Sequence, residues 1–185
     1  MKNTIQDKAR LVNSVFSKVY NKYDLMNDVM SLGIHRIWKD KFIDWMNPSR
    51  NSSLIDVASG TGDIAKLFSL RTNNSSTITC IEPNGDMLEK GKDNLINFKN
   101  IKWIKSIAET LPVEDNMYDF YSISYGIRNV SDINKTLKEA YRVLKPGGRF
   151  MCLEFSKIDN EIINLLYQKY SKVIPIVGKH VAGSL

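Results

Sequence analysis

The run LIDVASGTGDIA, Leu54 to Ala65, decides the fold. It reads as a buried strand, a glycine turn and the first turn of a helix. Such a turn lets a small ligand approach bare backbone at the carboxyl end of a parallel strand. The spacing Gly60-x-Gly62-x-x-Ala65 also fits the dinucleotide fingerprint, so the loop alone does not name its ligand. Asp63 stands directly after the second glycine, at the helix N-terminus where a dinucleotide would set its pyrophosphate. Asp56 adds a second negative charge late in the strand. Carboxylates here repel phosphate and tolerate a ligand with a cationic centre and no phosphate. S-adenosylmethionine is such a ligand, and the loop favours it over NAD. The same turn with no ligand at all stays open.

Outward from this run, strand and helix patterns alternate, which predicts a parallel sheet with helices on its faces. Strands are expected at 54–58, 77–81, 101–104, 118–124 and 149–154, and helices at 63–70, 85–97 and 134–144. Lys145-Pro146-Gly147-Gly148 is a strong helix stop. Right-handed crossovers and a switch point after the first strand give the order 3-2-1-4-5. Upstream, apolar residues at helical spacing predict an amphipathic helix over 5–20. A segment rich in Met and aromatics follows over 23–45, broken near Asn27 and Gly33. A last amphipathic helix is expected over 160–174, ending at Pro175. The chain is expected to divide into an N-terminal helical cap and substrate-entrance segment (1–50), an S-adenosylmethionine-binding Rossmann-like core (51–158) and a C-terminal helix and truncated tail (159–185), all one structural domain.

With 185 residues, 43% hydrophobic and 25% charged, the chain is long enough for one domain with a real core. The net charge of +6 suits either a solvated surface or an anionic one, and no basic cluster points to nucleic acid. Cys80 and Cys152 lie in apolar strand-like runs and are expected as buried free thiols. The two histidines, His35 and His180, form no zinc pattern, so no metal is expected. No signal peptide or membrane-spanning run is visible, so the expected location is cytoplasmic, with any membrane contact peripheral on the inner face.

Ligands of such a sheet bind at the strand carboxyl ends. Glu82 comes 20 residues after Gly62 at the end of the second strand, where a carboxylate accepts both hydroxyls of a ribose. A plain helix N-terminal charge ahead of Pro83 is the alternative. Ile107-Ala108-Glu109 follows the third strand, where small apolar groups pack on an adenine or simply fill a loop. Ser124 ends the fourth strand, its hydroxyl bonding a ligand or holding the loop. Tyr125-Gly126-Ile127-Arg128-Asn129 comes next, where a second substrate meets the cofactor. Arg128 there orients an oxyanion or a water, or pairs with an acidic neighbour. The candidate cofactor set is Asp56, Ser59, Gly60, Thr61, Gly62, Asp63, Glu82, Pro83, Met87, Ile107, Ala108, Glu109, Ser124 and Tyr125.

Three stretches carry a family resemblance: YDLMNDVMSLGIHRIWK (Tyr23–Lys39), the loop DVASGTGD, and RVLKPGGRFMCLEFS (Arg142–Ser156), this last preceded by SYGIRNV. Together they resemble the ubiquinone/menaquinone biosynthesis C-methyltransferases, within the class I S-adenosylmethionine methyltransferases. The resemblance implies cofactor contacts at Thr61, Glu82, Ile107, Ala108 and Ser124. Glu82 stands where the family commonly has Asp, and Ile107 where it commonly has Asn or Asp. The implied reaction moves a methyl from a sulfonium to a ring carbon of a polyprenylated quinol, demethylmenaquinol and/or 2-polyprenyl-6-methoxy-1,4-benzoquinol. Carbon is a weak nucleophile, so the ring needs activation by loss of a hydroxyl proton. Arg128, Asn129, Tyr23 and Asp24 are the candidate catalytic residues. The resemblance further implies that family members continue beyond Leu185 with more helices and two strands. The fifth strand is therefore expected as an exposed apolar edge, open to a homodimer or a quinone-biosynthesis complex. The competing expectation is a truncated, catalytically impaired cofactor-binding or scaffold protein.

Overall fold

The computed structural model of the chain describes Asp28, Ser31 and residues 33–156. The expected helices over 5–20 and 160–174, most of the segment before Gly33, and Tyr23 and Asp24 lie outside the described residues.

Five parallel strands form the sheet: β1 (Ser53–Val57), β2 (Thr77–Ile81), β3 (Ile101–Ile104), β4 (Tyr118–Ser124) and β5 (Leu144–Leu153), in the order β3-β2-β1-β4-β5. That is the order expected from the crossover rule. β1 sits at the centre, with Leu54 paired to Ile78 of β2 and to Phe120 of β4. Side chains alternate between the two faces of each strand. Leu54, Ile78, Cys80 and Phe120 enter one core with Phe42, Ile43, Met46 and Phe68, and Ile55, Val57, Ile81, Tyr121 and Ile123 enter the other with Ala140 and Val143. A strand buried on both faces reads as a mostly apolar run, here Leu54, Ile55 and Val57 around Asp56, which is why 54–57 was legible.

The first core lies under α1 (Ile34–Met46) and α2 (Asp63–Arg71). α1 buries His35, Lys39, Phe42, Ile43 and Met46, a stripe at three- and four-residue spacing. Gly33, at φ 76, begins this helix, and Asn47, at φ 43, ends it in the left-handed conformation common after a helix. The Arg149 guanidinium of β5 donates to the Met46 carbonyl and lies 4.7 Å over the Phe120 ring, tying α1 to the sheet. α3 (Gly85–Asn94) and α4 (Ile133–Val143) complete the described helices, each opened by a side-chain cap. Asn84 accepts from the Met87 amide, and Asp132 from the Lys135 amide.

Two expectations change. The stop signal Lys145–Gly148 is not a spacer between helix and strand. Leu144 already pairs with Tyr118, and the chain bulges through Gly147, at φ 80, before Arg149 pairs with Phe120. Cys152 is exposed rather than buried, because β5 is an outer strand, while Cys80 on inner β2 is fully buried. Both thiols are free, with β1 and β4 between them. No helix among the described residues is long and apolar enough to cross a membrane.

Candidate active site

The glycine loop turns sharply off β1. Ala58, Gly60 and Gly62 all have positive φ, at 54, 57 and 90°. The Ser59 amide and hydroxyl both donate to the Ile81 carbonyl at the end of β2, at 3.1 and 3.3 Å. Gly62 sits at φ 90, and a Cβ there would come 2.7 Å from Leu95 Cδ1 and 3.0 Å from the Trp103 ring, so glycine suits this position. Met87 is buried beneath the turn, its methyl 3.5 Å from the position a Gly60 Cβ would take. Thr61 is buried at the crest.

Glu82 is 7% exposed and crosses from β2 to this loop. Its Oε2 accepts from the Gly60 amide at 2.8 Å and its Oε1 from the Asn84 amide at 2.9 Å. Burial raises its pKa, opposed by these two bonds. Glu82 is therefore more than a charge ahead of Pro83: it ties the end of β2 to the loop, and each oxygen keeps a lone pair for a hydroxyl donor.

Asp56 lies inside the sheet, opposite Ser122 of β4 and 1% exposed. Ser122 Oγ donates to its Oδ1 at 2.6 Å, while Oδ2 has no hydrogen-bond partner among the described residues. Burial raises its pKa to about 7. Asp63 opens α2 and receives a bond from Lys39 Nζ of α1 at 2.6 Å. The expectation that these two carboxylates repel a pyrophosphate therefore needs correction. Lys39, buried against α2, pairs with Asp63, and burial keeps Asp56 protonated below about pH 7. A lysine 24 residues upstream carries no local signal of that pairing. A cleft of about 620 Å³ opens between α1 and α2, lined by His35, Lys39, Thr61, Asp63, Lys66 and Leu95 among others. It reaches the Thr61–Asp63 end of the loop, while Glu82, Ala108 and Ser124 are outside its lining.

After β3, Ala108 is buried and Ile107 is half-exposed. Glu109 turns away to α4, where its Oε1 accepts from the Ser131 and Asp132 amides at 2.5 and 3.1 Å. That bond anchors a helix start, a job the sequence reading did not give it.

At the end of β4 the chain closes onto the glycine loop. A Cβ on Gly126 would stand 2.6 Å from the Ala58 Cβ, so glycine is required for this approach. Tyr125, at φ 55, donates its amide to the Leu153 carbonyl at 2.7 Å, and its ring stacks on Phe155 at 4.9 Å. Trp38 meets the same Phe155 edge-on at 5.9 Å. Arg128 lies 5.8 Å over the Phe155 ring and pairs through Nη1 with Glu154 Oε1. The Asn129 amide donates to the Gly126 carbonyl at 2.9 Å in a short 3₁₀ turn (Ile127–Asn129). Ser124 Oγ and Glu154 Oε2 are buried and lack partners among the described residues. The glycine loop, Glu82, Ser124 and the Arg128 turn thus all lie at or just after the carboxyl ends of the inner strands β1, β2 and β4. Trp38, Glu154 and Phe155 join them from the Met/aromatic segment and the end of the fifth strand, and the sequence reading gave these three residues no site role.

The sequence model of the ubiE/COQ5 methyltransferase family matches residues 2–185. The chain belongs to the ubiE/COQ5 methyltransferase family. Among similar curated proteins, the ubiquinone/menaquinone biosynthesis C-methyltransferase UbiE of Rickettsia bellii is 52% identical over 96% of this chain and 74% of its own length. Among solved structures, a putative S-adenosyl-L-methionine-dependent methyltransferase from Methanococcus maripaludis superposes with a TM-score of 0.65 at 19% identity, over 86% of this chain and 71% of its own. A SAM-dependent methyltransferase from Aquifex aeolicus gives 0.60 at 18%, over 71% and 78%. At those identities the two structures speak for the fold. Membership in the family makes the chain an S-adenosylmethionine-dependent methyltransferase. The residues present fit that cofactor: Asp56 and Ser124 keep unpartnered oxygens near the loop, and Glu82 keeps acceptor capacity at the end of β2.

Proposed function

We propose that this chain methylates a ring carbon of a polyprenylated quinol, demethylmenaquinol and/or 2-polyprenyl-6-methoxy-1,4-benzoquinol, in menaquinone or ubiquinone biosynthesis. The observation that carries this reading is the cluster at the ends of β4 and β5. A guanidinium, Arg128, lies over the Phe155 ring, which stacks on Tyr125 and meets Trp38 edge-on. Aromatic walls suit a flat ring, and a fixed cation suits the oxyanion that forms when a quinol hydroxyl ionises. The name of the Rickettsia relative supports the same substrate class.

The cofactor-binding roles follow from the chemistry of each residue. Glu82 accepts the ribose hydroxyls, the Thr61 turn offers backbone and hydroxyl donors to a carboxylate, and Ala108 packs against the adenine. Ser124 bonds the amino-acid end. Ser59, Gly60, Gly62, Met87 and Pro83 shape the loop that lets backbone approach the ligand. Bound S-adenosylmethionine supplies an electrophilic methyl on a sulfonium. Arg128 holds the ring oxygen, and Asn129 orients the same group or a water from the 3₁₀ turn. Tyr23 and Asp24 complete the set from outside the described residues. A prenyl tail needs an apolar route, and net charge +6 favours an anionic lipid surface, so peripheral contact with the inner membrane face accompanies this reading.

Two measurements test it. Calorimetry with S-adenosylmethionine, with NAD as control, should show saturable binding of the former alone. Incubation with a short-prenyl demethylmenaquinol should then give a product one methyl heavier by mass spectrometry. Cofactor binding with no methylation of either quinol class would overturn the substrate assignment.

A further inference from the structure

We propose that Glu154 is the general base that takes the proton from the quinol hydroxyl. The proposal rests on the quinol reading above and names the group that activates the ring.

Arg128 cannot be that base. A guanidinium stays protonated in proteins and has no acceptor to offer. The carboxylates near the strand carboxyl ends differ in what their oxygens already do. Asp63 holds Lys39. Glu82 accepts one backbone amide on each oxygen. Glu109 accepts two amides at the start of α4. Asp56 sits inside the sheet and holds its proton up to about pH 7. Glu154 divides its two oxygens. Its Oε1 receives Arg128 Nη1–H and the Phe155 amide, the latter at 3.0 Å. Its Oε2 is buried, without a hydrogen-bond partner among the described residues.

Position agrees. Leu153 pairs with Ser124 in the β4–β5 ladder, so Glu154 is the first residue past the sheet beside the Ser124–Tyr125 turn. The rings of Phe155 and Tyr125 stack alongside it. A buried acceptor with no donor is costly unless a ligand supplies one. A quinol hydroxyl between Arg128 and Glu154 supplies that donor. Arg128 then stabilises the oxyanion as the proton leaves.

The step balances as follows. The O–H bond breaks, its proton passes to Glu154 Oε2, and the electron pair stays on the ring oxygen and spreads to the adjacent ring carbon. That carbon uses the pair for the new bond to the methyl group, and the pair of the broken carbon–sulfur bond remains on sulfur. The hydrogen displaced from the ring carbon leaves to water as a proton, its bonding pair restores the aromatic ring, and Glu154 returns its own proton to the oxygen.

The test uses the full chain, saturating S-adenosylmethionine and two short-prenyl quinols, one carrying a ring halogen that acidifies the hydroxyl. Glu154→Gln keeps an oxygen for the Arg128 N–H but cannot accept the proton. It should bind cofactor with unchanged affinity, lose about a hundredfold or more in kcat on the parent quinol, and regain part of that loss on the halogenated one. A role confined to holding Arg128 would survive the change, so a kcat within threefold of wild type on the parent quinol overturns the proposal. If the glutamine variant does not fold, Glu154→Asp decides: setting the carboxylate back by one methylene should lower kcat about tenfold, and an unchanged kcat overturns the proposal. A wild-type chain that binds cofactor and methylates neither quinol removes the quinol reading and this base together. Wild-type turnover with an unimpaired glutamine variant removes the base alone.

Discussion

Replacing Asp56 with asparagine should stabilise the cofactor-free chain at pH 8 and destabilise it at pH 4. The carboxyl is 1% exposed, takes one bond from Ser122 Oγ at 2.6 Å, and leaves Oδ2 unpartnered among the described residues. Burial lifts its pKa from 3.8 to about 7. Because the folded pKa lies above the unfolded one, the fold keeps a proton that the unfolded chain releases. This contribution is fully present below about pH 4 and is lost as pH rises to about 7. Three units at about 1.4 kcal/mol each make the ionised carboxylate cost roughly 4 kcal/mol above that window. Asparagine keeps the acceptor for Ser122 but puts an amide NH₂ where Oδ2 was, costing roughly 1–3 kcal/mol at every pH if it finds no partner. The difference leaves a gain of roughly 1–3 kcal/mol at pH 8, near break-even around pH 5, and a loss of roughly 0.5–2.5 kcal/mol at pH 4, so the two curves cross. Urea unfolding of both proteins from pH 4 to pH 9 measures this directly. Glu82, also raised by burial, slopes the same way in both proteins and largely cancels in the difference. Parallel curves that never cross would refute the reasoning, because they would mean that Asp56 does not hold its proton in the fold.

Gly126→Ala should lower stability by about 1–3 kcal/mol and weaken cofactor binding, because the new Cβ would stand 2.6 Å from the Ala58 Cβ; thermal melting and calorimetry report both. Glu82→Gln should weaken S-adenosylmethionine binding about tenfold while the chain still folds, since an amide replaces charge-assisted bonds with neutral ones; calorimetry with the cofactor checks it. Anionic liposomes should sediment the chain at low salt and release it at high salt if its positive charge meets lipid. No sedimentation in any condition would count against membrane contact.

The order of the sheet was legible because β1, β2 and β4 are largely buried on both faces and are rich in Leu, Ile, Val and aromatics, with turn residues closing each run. The glycine loop was legible for a local reason: positive φ at Gly60 and close packing at Gly62 restrict the residue type at those positions. β5 was read five residues short. Its pairing begins at Leu144, inside a segment whose proline and glycines signal a break, and only the neighbouring Tyr118 makes that residue a strand.

Sequence alone thus determined the parallel fold, the loop and the strand ends where a ligand meets them. These follow from periodicity and backbone conformation, which a chain writes within a few residues. The tertiary structure decided which charges are real at those ends. Lys39 pairs with Asp63, burial keeps a proton on Asp56, Glu109 is spent on a helix start, and Glu154 keeps one oxygen in reserve beside Arg128. Each of these depends on a partner or a burial contributed by a distant segment. Electrostatic state is a property of the packed neighbourhood rather than of the residue, and so it could not be read along the chain.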